Sequence, residues 1–184
     1  MSKSIGPQQR NKRSKLLYPV LAASIEWDRD CASDWRKSIP DITLITQNTV
    51  LQTGRCLPGN YSEGHITLFL THDLKQQHLN KTFRGQDKST NILSFASGTP
   101  TPTHYHLGDL SLALETIKRE AVDQSKPIQD HYSHLLVHGI LHLFGFTHKA
   151  KHDAKKMEDL EIEILNKLNI KNPYVIEGGD IGLE

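Results

Sequence analysis

The chain has 184 residues, of which 36% are hydrophobic and 23% are charged. This length fits one domain with its own core, and the composition is typical of a soluble globular protein. Because the formal net charge is only +1, binding to nucleic acid or to a membrane would have to depend on local patches. The two cysteines, Cys31 and Cys56, are far apart and suggest neither a disulfide framework nor a thiolate zinc site, although they leave room for a single bridge.

The N-terminal segment has two interpretations. Four basic residues within positions 10–15 precede the apolar stretch LLYPVLAASI, an order that superficially resembles a signal peptide. The apolar stretch is short, contains Pro19 and runs directly into charged residues, so we favour a flexible basic leader at residues 1–16 followed by a strand. No apolar run approaches the ~20 residues of a transmembrane helix, so we expect no membrane partner.

Strands and helices interleave along the first two thirds of the chain. Apolar content, glycine and proline predict a strand at 20–26, a mostly helical region to about residue 51, a loop at 53–64, a buried strand at 65–71, a short helix at 71–83 and a strand at 91–97.

The last third is predicted with fewer breaks. Leu110, Leu112 and Leu114 alternate with other residues, which predicts a half-buried strand. After Pro127, residues 130–144 are apolar nearly all round, as expected of a central helix. An amphipathic helix follows, with its apolar residues at Met157, Leu160, Ile164 and Leu168. The class is therefore α/β or α+β with one small sheet.

Histidine is frequent, with 11 residues. Histidines four apart on a helix share one face and can bind one tetrahedral metal ion. Spacing alone does not show which of the three such pairs binds a metal ion. The pair His138/His142 is followed by Gly145, which can take the left-handed conformation that ends a helix. The chain can then turn back and offer His148 as a third ligand. The three pairs are His134/His138, His138/His142 and His148/His152.

The spacing H-x3-H-x2-G-x2-H is also the skeleton of the metzincin protease motif. Three neutral imidazoles plus water form the open arrangement of catalytic zinc. The protease motif places a general-base glutamate directly after the first histidine, where this chain has Gly139, which disfavours a metallopeptidase. The other alternative is a set of satisfied histidines on a buried helix.

Four segments together resemble one family. HGILHLFGFTH at 138–148 resembles the signature H-G-x-L-H-L-x-G-[YF]-D-H of the YbeY family, the bacterial metal-dependent endoribonucleases of ribosomal RNA maturation. The segments LNKTFRGQDKSTNILSF (79–95), LGDLSLA (107–113) and MEDLEIEIL (157–165) resemble further blocks of that family in the same order. The resemblance spans residues 17–176.

This resemblance implies a fold and a function. The fold would be α+β, with a small, mostly parallel four-stranded sheet wrapped by about five helices and a zincin-like metal helix. Residues 17–176 would form a single catalytic domain and 177–184 a flexible tail. The protein would be a cytoplasmic, zinc-dependent, single-strand-specific endoribonuclease in 3′-end maturation of small-subunit ribosomal RNA and in ribosome quality control. Its partners would be ribosomal RNA, single-stranded RNA, and the small ribosomal subunit or an assembly factor.

The resemblance also assigns the central residues of the site. It makes His138, His142 and His148 the ligands of one zinc ion per chain, whereas His134 and His152 are not ligands. Arg84 matches the family's arginine, and its planar guanidinium suits bidentate binding of a phosphate. Without the resemblance, Arg84 would be read as an ordinary surface arginine.

Four further residues are candidates around this site. Asp109 could accept a hydrogen bond from an imidazole N–H or could cap a turn. Thr147 replaces the family's aspartate and cannot carry a charge, which keeps open a noncatalytic, ribosome-associated module that uses zinc only for stability. Lys81 and Lys88, with the basic leader, could bind backbone phosphates or could simply be solvated.

Overall fold

The computed structural model describes residues 20–57, 63–98, 106–148 and 150–175. The predicted leader and tail lie outside these ranges, so both remain predictions. The described residues form four strands and six helices, in the order β1 (Val20–Trp27), α1 (Ala32–Ser38), α2 (Ile42–Cys56), β2 (Glu63–Thr71), α3 (Asp73–Arg84), β3 (Ile92–Ala96), β4 (His106–Ala113), α4 (Leu114–Asp123), α5 (Ile128–Leu143) and α6 (Lys151–Lys167).

The four strands form one sheet in the order β1-β2-β4-β3. The pairs β1–β2 and β2–β4 are parallel, and β3 pairs antiparallel with β4 at one edge. This confirms the predicted α+β fold with a mostly parallel four-stranded sheet. The described residues contain six helices, in line with the predicted number of about five. Helix α4, which directly follows β4, was not predicted from the sequence.

Strand β4 differs from the prediction of a half-buried strand. It lies between two other strands, and Leu110 and Leu112 are fully buried on one face. Ser111, which points to the opposite face, is buried as well. Its hydroxyl donates to Oε1 of Gln76 at 2.6 Å, and the Gln76 amide donates to the Ser111 carbonyl at 3.0 Å. The sheet is therefore covered here by α3, and the polar residue pairs with a buried amide.

The loop predicted at 53–64 is only partly correct. Helix α2 continues to Cys56, β2 begins at Glu63, and residues 58–62 lie outside the described ranges. One of the glycines behind that loop prediction is Gly54, where a Cβ would lie 2.9 Å from Cβ of Leu21. The glycine therefore permits close contact between α2 and β1 instead of ending the helix.

Helix α5 crosses the centre of the protein, as the sequence predicts. Its Tyr132 ring packs edge to face against Trp35 with the centroids 6.0 Å apart, and both side chains are fully buried. At the other end of α5, a Cβ on Gly108 would lie 2.9 Å from Cδ2 of Leu143. The last turn of α5 therefore lies against the beginning of β4. No helix in the described ranges is long and apolar enough to cross a membrane.

Candidate metal centre

The end of α5 is shaped by Gly145. This glycine has a φ of 84°, and a Cβ there would meet no atom within 4 Å, so backbone conformation and not space favours glycine. Its N–H donates to the His142 carbonyl at 3.0 Å, and the Phe146 N–H donates to the Leu141 carbonyl at 3.1 Å. These two bonds form a Schellman motif, which confirms the predicted helix end and reverses the chain toward His148.

The reversal brings three histidines together. Each of His138, His142 and His148 has a ring nitrogen within 4.8 Å of those of the other two. The His148 ring stacks on His138 with centroids 5.0 Å apart and lies 5.3 Å from His142. His134 and His152 are described in the structure but do not belong to this group. We call the three residues the histidine triad.

Two members of the triad have one ring nitrogen already bound. Nδ1 of His142 lies 2.9 Å from the Phe146 carbonyl oxygen, which can only accept, so this nitrogen carries a proton. Nδ1 of His138 lies 2.9 Å from Oε1 of Glu161, and an ionised carboxylate also only accepts. In the neutral form of each ring, Nε2 therefore carries a lone pair.

The two Nε2 atoms lie 3.0 Å apart. Two lone pairs at this distance repel each other unless a proton or a metal ion lies between them. Burial, together with the neighbouring His138 and His148, lowers the pKa of His142, which favours its neutral form. Two ligands at 2.0–2.1 Å from a tetrahedral ion are about 3.3 Å apart. The donor set and its spacing therefore fit a zinc ion with His148 as the third ligand.

Glu161 is the residue of this site that the sequence analysis missed. Its side chain is fully buried, and its oxygens accept from His138, from Nε2 of His134 at 3.1 Å and from the hydroxyl of Tyr174. Burial alone would raise its pKa, but the hydrogen bonds from these three side chains outweigh burial and lower the pKa to about 2. Glu161 is therefore a carboxylate that fixes the orientation of His138.

His134 thus has a different place from the triad. Its Nε2 contacts Glu161, and its Nδ1 is buried without a hydrogen-bond partner among the described residues. One turn earlier, Nε2 of His131 lies 2.8 Å from the Glu120 carboxylate. The histidines of α5 that precede the triad therefore contact carboxylates of neighbouring helices.

Arg84 lies at the end of α3, and its side chain reaches the edge strand β3. Its guanidinium donates to the Ser94 carbonyl at 2.9 Å. The Ala113 N–H donates to the Asn91 carbonyl, and the Ser97 N–H donates to the Leu107 carbonyl. In the alternating antiparallel pattern, the Ser94 carbonyl therefore points to the free edge. The Ser94 hydroxyl contacts the carbonyl of Gly139 at 3.4 Å. Arg84 is therefore connected through Ser94 to the residue next to His138.

The other predicted residues form no hydrogen bond with the triad in the described part of the chain. Asp109 is half exposed, and its imidazole partner is His106, with the two atoms 3.1 Å apart. Thr147, which directly precedes His148 in the sequence, is half-buried. Lys81 forms an ion pair of 2.6 Å with Asp87, and Lys88 is exposed.

A second group of ligand-type side chains lies at the other end of the sheet. Asp28, Asp30 and His72 each offer an atom within 4.8 Å of the others. Asp28 follows β1 and His72 follows β2, which places this group at the carboxyl edge of the parallel strands, whereas the triad lies near the start of β4. One Asp28 oxygen already accepts from the Thr71 hydroxyl at 2.7 Å. The sequence analysis did not single out this group.

Comparisons with known proteins identify the family of the chain. Residues 31–169 match the family model described as Endoribonuclease YbeY. A protein of that name from Methylocella silvestris is 44% identical over 161 residues, covering 86% of this chain and 87% of the relative. Another from Nitrobacter hamburgensis is 43% identical over 166 residues, covering 86% and 85%. The solution structure of TM1509 from Thermotoga maritima covers 90% of this chain and 100% of that one, with 18% identity and a TM-score of 0.45. From the family model and the two named relatives, the chain belongs to the YbeY family of endoribonucleases.

Proposed function

We propose that this protein is a zinc-dependent endoribonuclease that cleaves single-stranded RNA in the cytoplasm. Its role would be 3′-end maturation of small-subunit ribosomal RNA, together with ribosome quality control. Membership of a family named for endoribonuclease activity supports the reaction. The observation that carries the metal is the 3.0 Å approach of two Nε2 atoms whose rings are each bound at Nδ1.

The triad would hold one zinc ion per chain. A bound zinc ion supplies Lewis acidity and lowers the pKa of a coordinated water to about 7. Hydrogen bonds at Nδ1 orient two of the ligands: Glu161 accepts from His138, and the Phe146 carbonyl accepts from His142. Both contacts hold the tautomer that leaves Nε2 unprotonated, and His148, which is exposed, leaves the centre open to a substrate.

Arg84 is proposed to bind the phosphate. A guanidinium has five N–H donors, and one bond to the Ser94 carbonyl leaves a pair of donors for two phosphate oxygens. Because that bond anchors the side chain, the cation is positioned before RNA binds. Asp109 is proposed to accept a hydrogen bond from an imidazole N–H. Thr147, which directly precedes His148, is the other residue proposed to support the ligands. Lys81 and Lys88 are proposed to bind backbone phosphates, although Asp87 competes for Lys81.

A peptidase is disfavoured by the packing of α5. A Cβ on Gly139 would lie 2.5 Å from Cδ1 of Ile92 and 3.0 Å from Cδ2 of Leu110. This position therefore faces the sheet, so the side chain of a glutamate there would point into apolar residues of β3 and β4. Glu161 cannot replace it, because its oxygens already accept hydrogen bonds from His134, His138 and Tyr174.

The test compares zinc-loaded and chelated protein on a single-stranded RNA, on a fully paired RNA of the same sequence and on casein. We expect cleavage of the single strand, its loss on chelation, its return with zinc, and intact casein. If zinc changes only the melting temperature and no RNA is cleaved, the noncatalytic module is correct. Casein cleavage would instead support the peptidase.

A further inference from the structure

Phe83 is an exposed aromatic residue beside the proposed phosphate-binding arginine. Its side chain is 61% exposed, although a large apolar ring is usually buried. The other exposed large hydrophobic residue of α3, Leu74, is 72% exposed and precedes Phe83 by nine residues. At about 100° per residue, the two point to opposite sides of the helix. Phe83 and Leu74 therefore do not belong to one apolar patch.

The Phe83 ring is held in place by β3. It packs against Phe95 with the ring centroids 5.1 Å apart and the planes 68° apart, the edge-to-face arrangement that aromatic pairs prefer. Because Phe95 is partly buried in the sheet, it anchors the more exposed ring. At 61% exposure, at least one face of Phe83 remains open to a ligand.

The same strand holds the neighbouring cation. Consecutive residues of α3 contact consecutive residues of β3: Phe83 packs on Phe95, and Arg84 donates to the Ser94 carbonyl. An aromatic ring and a guanidinium are thus fixed side by side at the free edge of the sheet. A nucleotide presents a flat base and an anionic phosphate, which these two groups complement.

We propose that Phe83 binds one unpaired base of the RNA by stacking, next to the nucleotide whose phosphate contacts Arg84. This inference rests on the proposed function and adds the subsite that would select single strands. In a duplex each base is stacked between its neighbours and paired, so its face is not free for Phe83. The flanking cation, which suits the phosphate beside each base, favours RNA over an apolar protein partner.

The experiment measures kcat and KM of the zinc-loaded protein on a short single-stranded RNA. The variants are Phe83→Leu, which keeps apolar bulk but loses the aromatic face, and Phe83→Trp, which restores it. Leu74→Ala is the matched control, since it removes an exposed apolar residue from the other side of α3. We expect Phe83→Leu to raise KM by about 5- to 150-fold, the range of base–aromatic stacking, with kcat little changed. Phe83→Trp and Leu74→Ala should remain near the parent.

A series of RNAs with one abasic nucleotide each makes the test specific. One abasic position should raise KM of the parent by the same factor, and Phe83→Leu should cause no further loss at that position. The parent series needs no variant, so it can overturn the proposal even if Phe83→Leu folds poorly. The proposal is overturned if no abasic position raises KM of the parent. It is also overturned if, at every position, the abasic nucleotide and Phe83→Leu raise KM independently, so that their effects multiply. Unchanged RNA kinetics of folded Phe83→Leu would overturn it too and point to a protein partner at Phe83. These outcomes leave the proposed function intact as long as the parent cleaves RNA; if the parent does not, both fail.

Discussion

Replacing Glu161 by glutamine tests how the protein supports its proposed metal ligand. The substitution keeps the shape of the side chain and removes its charge. Glu161 has donors on both oxygens: His138 at one, His134 and Tyr174 at the other. Whichever way the glutamine amide is turned, its NH₂ group faces a former donor, so at least one hydrogen bond to a buried carboxylate is lost.

The magnitudes follow from these contacts. A hydrogen bond to a charged group contributes about 1.5–3 kcal/mol to the free energy of unfolding. For a domain of this size, that loss lowers the melting temperature of the zinc-free protein by roughly 3–12 °C. A weaker support for His138 should also reduce zinc affinity by about 10- to 100-fold.

The assay is competition between the protein and a chelator of known zinc affinity, with the melting temperature measured in parallel. Glu163→Gln is the matched control, because Glu163 lies on the same helix but is exposed and pairs only with Lys167 in the described structure. We expect this control to bind zinc like the parent. Parent-like zinc affinity in folded Glu161→Gln would refute the role assigned to Glu161.

Three further predictions concern single substitutions. Arg84→Ala should lower the RNA cleavage rate by about 10²–10³-fold, and Arg84→Lys should recover little because bidentate geometry is lost; zinc content and melting temperature should stay near the parent. Thr147→Asp should raise zinc affinity or cleavage by about 10- to 100-fold, and no change in either would make the position neutral. Burial opposes ionisation of Glu120, but hydrogen bonds from His131 and Asn91 outweigh burial and lower its pKa below 4.5. The stabilisation by ionised Glu120 is therefore complete above pH 4.5 and is lost as the pH falls through the lowered pKa. Glu120→Gln should reduce the free energy of unfolding at pH 7 and weaken its dependence on acid pH, as monitored by circular dichroism.

Features that depend only on residues close together in the sequence could be predicted. The helix end at Gly145 needs only a glycine at the right distance from the last apolar turn, and the Schellman bonds confirm it. The histidine spacing likewise places His138 and His142 on one face of α5. The convergence of His148 with them follows from that same turn.

Glu161 could not be assigned in this way, because it contacts His138, which lies on another helix and 23 positions earlier in the sequence. A signal was nevertheless present. Glu161 lies four residues after Met157 and three before Ile164, which are both buried, so the apolar stripe of α6 has a charged residue where an apolar one is expected. A buried charge at such a position requires partners, although the sequence does not say which ones.

The face of β4 that carries Ser111 is buried because another element packs on it. The alternation of apolar and polar residues along the strand does not reveal this packing. The rule that polar residues of a strand face water predicts an exposed Ser111. Helix α3 covers that face, and Gln76 supplies the hydrogen bonds that water would have made. The end of α2 was predicted too early for a related reason, since the contact between Gly54 and Leu21 joins two elements.

The proposed function requires the triad to hold the zinc ion used for RNA cleavage. Its most direct test is a titration of chelated protein with zinc while cleavage of a single-stranded RNA is followed. Activity of the parent and of His134→Ala should rise until one zinc per chain is bound and then stay constant, whereas alanine at His138, His142 or His148 should abolish the saturable rise. A His148→Ala protein that reaches parent activity at one zinc per chain would contradict the claim.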